Sequence, residues 1–180
     1  PHLMVSGNVA PPRLDLGNED LIRAHVHAIW LTETGMALGN SLRDVLNLEG
    51  AEPTLQLLPS VQAAVRSTDA ISKARNRAKR VLETIQEVLG SSDWHTDGWM
   101  DEVFHQIPEA FNFACDRWRS LYKSAHNQVK AQTQVILDAT RSQIEKDQAK
   151  RLRREAESQL ELLTQSGRSF QSDFYSYRYF

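Results

Sequence analysis

The stretch PEAFNFACDRWRSLYKSAHNQVKAQTQVILDATRSQIEKDQAKRLRREAESQLELLTQ, Pro108–Gln165, decides the fold class. After its first residue it holds neither Gly nor Pro, and Ala, Leu, Gln, Glu, Lys and Arg dominate it. These side chains lose little freedom in a helix, so summed propensity favours one strongly. The stretch predicts a single helix over 108–166, roughly 85 Å long at 1.5 Å per residue. Its first half carries Phe111, Ala114, Trp118, Leu121, Ala125, Val129 and Ile136, spaced as one buried stripe. The eleven-residue step from Trp118 to Val129 to Thr140 matches a nearly straight helix and disfavours a regular coiled-coil zipper. From Arg141 to Glu161, six basic and five acidic residues leave thin apolar cover. That half is expected to project from the body or rest on another surface.

Shorter helices are expected upstream. Asn18 caps a helix over 18–34, with Glu19 and Asp20 at its positive end and Gly35 as its stop. Leu42, Val45 and Leu46 suggest about two helical turns. A further helix runs from Pro59-Ser60 to Leu89, and Ser67-Thr68-Asp69 is a place where it could break, with Asp69 capping anew. Asp97 is expected to cap a short helix through Trp99, Val103 and Phe104 that closes at Pro108. The resulting reading is all-α: a helical bundle with one very long helix forming a hairpin or projecting arm. The 60–89 helix should pack antiparallel on the first half of the long one, capped by the 18–34 helix and the Trp94/Trp99 region.

The ends differ in character. Residues 1–17 read as an irregular entry with a possible short strand at Leu3–Val5, and 18–166 as the helical domain. Residues 167–180 carry Phe170, Phe174, Tyr175, Tyr177, Tyr179 and Phe180, dense enough for a nucleobase platform or for a strand of a following domain. A chain that opens at Pro1 and stops inside this cluster is expected to be a piece of a longer protein.

The 180 residues suit one domain, and 41% hydrophobic with 24% charged residues is ordinary for a globular chain. The net charge of −2 argues against overall nucleic-acid or membrane-surface affinity. No apolar run approaches the ~18 residues that span a bilayer. The single Cys115 excludes an internal disulfide and fits a reducing, cytoplasmic setting.

Chemistry-bearing patterns are few. No phosphate-cradling Gly-rich loop and no dinucleotide fingerprint occurs, so neither ATPase activity nor a cofactor is expected of this stretch. His25 and His27 point apart on a helix, and Cys115 lies about 16 Å along the axis from His126. Glu102, His105 and Glu109 share a helical spacing that is common on surfaces. Two basic sets stand out instead: Lys73, Arg75, Arg77, Lys79 and Arg80, and Arg117, Arg119, Lys123 and Lys130. An antiparallel hairpin would bring them side by side as a phosphate-contacting surface, and the alternative is a solvated face whose charges pair with Glu83, Glu87 and their neighbours.

Two stretches carry a resemblance. PPRLDLGNEDLIRAHVHAIWL, Pro11–Leu31, resembles a segment downstream of the second motor domain in large bacterial superfamily 2 helicases of the DEAD/DEAH type. SDFYSYRYF, Ser172–Phe180, resembles the entry to their C-terminal domain. Within that group the resemblance is to the helicase subunit of the DISARM anti-phage defence system. It implies a parent that uses ATP and Mg in two upstream motor domains and moves on DNA. This chain would then be an accessory helical domain that guides DNA or positions the C-terminal domain, with a docking arm for a partner subunit as the alternative.

Overall fold

The computed structural model describes residues 15–164, and within them the chain is mostly helical. The entry strand at Leu3–Val5, the last two residues of the expected 108–166 helix and the aromatic tail lie outside the described residues. Seven helices follow one another in those described: α1 Glu19–Glu33, α2 Pro59–Val65, α3 Thr68–Thr84, α4 Gln86–Leu89, α5 Trp99–Ala114, α6 Asp116–Leu137 and α7 Gln143–Thr164.

The first helix forms as its sequence dictates. The Asn18 side chain accepts from Leu21 N at 3.0 Å, Glu19 and Asp20 occupy the first turn, and Gly35 leaves the helix at φ +61°. Downstream, local hydrogen bonding breaks the expected helices more often than propensity suggests. The two turns expected around Leu42 shrink to one 3-10 turn, Leu42–Asp44, closed by a Ser41/Asp44 capping box. Leu46 then leaves the helical register and bridges to Leu57 in antiparallel sense. The 60–89 helix is cut twice. Ser67, rather than Asp69, caps α3 by accepting from Ala70 N at 3.3 Å, and Asp69 pairs with Lys73 instead. A second break falls at Ile85, whose backbone is non-helical.

The very long helix does not form. The longest run is 39 residues, α5 and α6 joined through the helical backbone of Cys115. Pro108 sits inside α5 rather than closing it. Its lost hydrogen bond, a cost of about 3 kcal/mol, is offset by burial of Ile107 and Phe111 on either side. The chain then reverses over residues 138–142. Asp138 is extended (φ −69°, ψ 114°), and its Oδ1 accepts from Thr140 N at 2.8 Å and Thr140 Oγ1 at 2.6 Å. Ser142 and Glu145 form a capping box for α7: Ser142 N donates to Glu145 Oε2 at 2.9 Å, and Glu145 N donates to Ser142 Oγ at 3.3 Å. The two devices stop one helix and start the next.

Reversal changes the packing. α6 and α7 lie along each other, so the second half of the stretch has a long partner after all, namely the first half. Ala125 on α6 and Ala149 and Ala156 on α7 are buried, and such small side chains let two helices approach closely. α3 packs on α1 and α5, not on α6. Its Ala70, Ala74 and Ala78, one turn apart, are nearly without exposure, and the last two meet Ile22, Val26 and Trp30 in the main core. α5 completes that core with Trp99, Val103, Phe104, Ile107 and Phe111. The tryptophans clamp the start of α1: Trp94 Nε1 donates to Gly17 O at 2.7 Å and Trp99 Nε1 to Glu19 Oε1 at 2.9 Å. A second core gathers Leu42, Leu46, Leu48, Leu55 and Tyr122, with Leu160 and Leu163 of α7 laid against it. Ser41 Oγ donates to Thr164 O at 2.7 Å, fastening the base of the α6–α7 hairpin to the body.

Close approach of α1 and α3 has a measurable consequence. Ala78→Leu should destabilise by about 1–3 kcal/mol in urea unfolding, because the added side chain has no space against α1. Ala131→Leu, on the exposed side of α6, should stay within about 0.5 kcal/mol of the parent. Equal effects at both positions would contradict the packing.

Candidate functional site

The five cations of α3 divide sharply. Lys73 pairs with Asp69 at 2.7 Å, and that hydrogen bond raises the ammonium pKa. Arg75 pairs with Asp101 and lies 5.2 Å over the Phe104 ring. Arg77 pairs with Glu33 of α1 at 2.8 Å. Lys79 and Arg80 are exposed and have no carboxylate partner among the described residues. Glu33 lies 44 residues from Arg77 along the chain, and Asp101 belongs to a different helix from Arg75, so residue order hides both partners.

The α6 set divides as well. Arg119 is a tie within the fold. Its Nε donates to Leu55 O at 2.9 Å, one terminal nitrogen to Asn112 O (2.7 Å) and Asp116 Oδ1 (2.6 Å), and the other to Asn112 Oδ1 (2.6 Å). Lys130 pairs with Glu52, and His126 Nε2 lies 3.1 Å from Ala51 O with its ring stacked on Tyr122. The 47–55 loop is thereby held along α6. Lys123 is exposed without a carboxylate partner among the described residues, and Arg117 is exposed on the same helix. The expectation that a hairpin of the two clusters aligns them is corrected: α3 and α6 do not pack together, because α6 turns back on α7.

No three of the His, Cys, Asp or Glu side chains converge as a metal-binding group among the described residues. Cys115 Sγ donates to Phe111 O at 3.4 Å, and burial pushes the thiol pKa up, which disfavours the thiolate a nucleophile needs. His27 is pushed the other way, its pKa lowered by burial and then by Arg23.

Two features escaped the sequence. One is an open cleft of about 420 Å³ between the 54–57 segment, α2, the end of α5 and the start of α6. Arg66, Lys123 and the Arg119 tie all line it. Leu55, on its wall, is a non-glycine residue at φ +56°, held there by a buried side chain and by Arg119 on its carbonyl. A left-handed leucine costs about 1–2 kcal/mol, so the surrounding contacts must enforce it. The other is the tip of the α6–α7 hairpin, where Leu137 and Ile144 are 76% and 82% exposed on either side of the turn. Contiguous helix propensity concealed that tip.

The four hydrogen bonds of Arg119 define its role. Arg119→Ala should cost about 2–3 kcal/mol and expose the Leu55 amide to hydrogen exchange. Arg119→Lys should recover little, since an ammonium cannot reproduce the guanidinium fork. Lys79→Ala should remain within about 0.5 kcal/mol of the parent. An Arg119→Ala protein of unchanged stability would return Arg119 to the solvated face.

No protein-family model, no curated protein and no solved structure matches the chain.

Proposed function

We propose that this chain is an accessory helical module of a DNA-acting, ATP-dependent helicase, and that its α6–α7 hairpin is a docking arm for another protein domain of that machine. The helicase context rests on the resemblance of Pro11–Leu31 and Ser172–Phe180, and an anti-phage role for the parent rests on the same two stretches. The motor chemistry, with ATP and Mg, belongs in this reading to the parent. The docking role is supported by one observation above all: large aliphatic side chains stand exposed at the far end of a projecting hairpin, at Leu137 and Ile144. Exposed apolar groups at such a position suit burial against protein. In the 138–142 reversal Arg141, and along α7 Lys150, Arg151 and Arg153, each lie beside a carboxylate of the turn or of α7, which leaves little net field for phosphates.

A second reading, direct guidance of DNA, draws on Lys79 and Arg80, adjacent cations of α3 without a carboxylate partner among the described residues. Contacts there would position a backbone without reading bases. The two readings part in one experiment. A photoreactive benzoylphenylalanine at position 137 or 144 of the parent helicase, bound to DNA, should crosslink to a defined protein surface, the same from both positions. Crosslinks to DNA from the tip would overturn the docking role. In parallel, anisotropy with a labelled DNA should show no loss of affinity in Lys79→Ala/Arg80→Ala. A weakening across unrelated sequences, with the salt slope reduced by about 0.7–0.9 per lost contact, would establish guidance instead.

A further inference from the structure

The 47–56 loop is fastened to α6 by side chains alone. Among the described residues no backbone hydrogen bond joins the two. The loop's own shape is set at its base, where Leu46 bridges Leu57. There Asn47 N donates to Gln56 O at 2.8 Å, Leu55 N to Asn47 O at 3.0 Å and Leu58 N to Val45 O at 2.9 Å. Beyond the base Glu49, Gly50, Ala51, Glu52 and Thr54 are exposed. Only Leu48 and Leu55 of the loop are buried, together with Tyr122 of α6.

The contacts that hold the loop down are weak ones. The side chains of the Lys130–Glu52 pair are 43% and 77% exposed, and water screens such a pair. His126 offers one contact, to Ala51 O. Arg119 is better shielded, but three of its four hydrogen bonds go to Asn112 and Asp116 of the joined α5–α6 helix. It keeps those three, and its place, if the loop leaves. Against closure stands Leu55 at φ +56°, a conformation that a leucine abandons once nothing enforces it. The main core shares no residue with the loop, so the loop can lift without disturbing Ala78 or Val103.

We infer that residues 47–56 are a strap that opens as one unit, parting from Arg119, His126 and Lys130 while the main core stays folded. One wall of the cleft leaves with it, since Thr54, Leu55 and Gln56 line that space. The cleft is therefore complete only while the strap is closed, and the strap gates it. The device shares no residue with the hairpin tip and does not depend on the tip's role.

Thiol labelling of the whole chain with dithionitrobenzoate tests this, in a Cys115→Ser background and at reagent concentrations where the rate follows the reagent. The thiols of Leu48→Cys and, separately, Leu55→Cys report from under the strap, and that of Val103→Cys from the main core. Circular dichroism reports whether each variant is folded, and either strap variant suffices. The strap thiols should react at least roughly 100-fold faster than the core thiol and depend less on urea, because a partial opening exposes less surface. Adding Ala78→Leu should speed the core thiol about tenfold and leave the strap thiols unchanged, since the α1–α3 contact survives the opening. Adding Glu52→Lys should speed the strap thiols severalfold, and Lys130→Glu together with it should restore them. Equal rates and equal urea dependence for strap and core thiols would overturn the inference. So would an equal acceleration of both by Ala78→Leu, or strap thiols indifferent to Glu52→Lys.

Discussion

Asp138 accepts two hydrogen bonds from Thr140, and four residues after Asp138 the Ser142/Glu145 box opens a new helix. On that reversal the remaining architecture depends. A straight helix over the same residues would leave the stripe of Trp118, Ala125 and Val129 in need of another partner, and α3 is the one long enough. Once the chain folds back, α7 lies along α6, with Ala125, Ala149 and Ala156 buried, and Trp118 packs with Leu160 and Leu163 in the second core. α3 is then released to pack its alanines on α1. The return of α7 also carries Leu160 and Leu163 to the second core, so the reversal ties the hairpin's base to the 41–57 segment.

The segment 41–57 is where local and long-range constraints meet. Its own hydrogen bonds, the Ser41/Asp44 box and the bridge of Leu46 to Leu57, are short-range. What fixes it in place is remote: Arg119 on Leu55 O, His126 near Ala51 O, Lys130 on Glu52. Three cationic or aromatic side chains of one helix face thus serve as a rail for a loop. Holding the loop there keeps Leu55 in its left-handed conformation on the wall of the cleft.

How much of this was legible in the sequence varied with the range of the deciding interaction. α1 could be read because its cap, first-turn acids and stopping glycine are all adjacent to it. The all-α class followed from propensity and periodicity. The long helix was misread because propensity summed over a window outweighed two local devices, an Asp with Thr two residues on and a Ser with Glu three residues on. Both signatures are visible in DATRSQIE, residues 138–145, and each supplies backbone hydrogen bonds that compete with helix continuation. Charge was legible only as composition. Nothing in the order of residues joins Arg77 to Glu33, Arg75 to Asp101 or Lys130 to Glu52, so a basic cluster could not be told from an ion-paired surface. The cleft and the exposed tip exist only once the chain has turned.

The reversal itself is directly measurable. Spin labels at Ser124 and Ser158, both exposed, with Cys115 replaced by Ser, report whether α6 and α7 lie side by side. In the folded-back hairpin the two helix axes are about 8–10 Å apart, so dipolar spectroscopy should give a short, narrow distance set by that gap and the label arms. A distribution centred near about 51 Å, the length of roughly thirty-four residues of unbroken helix, would contradict the account.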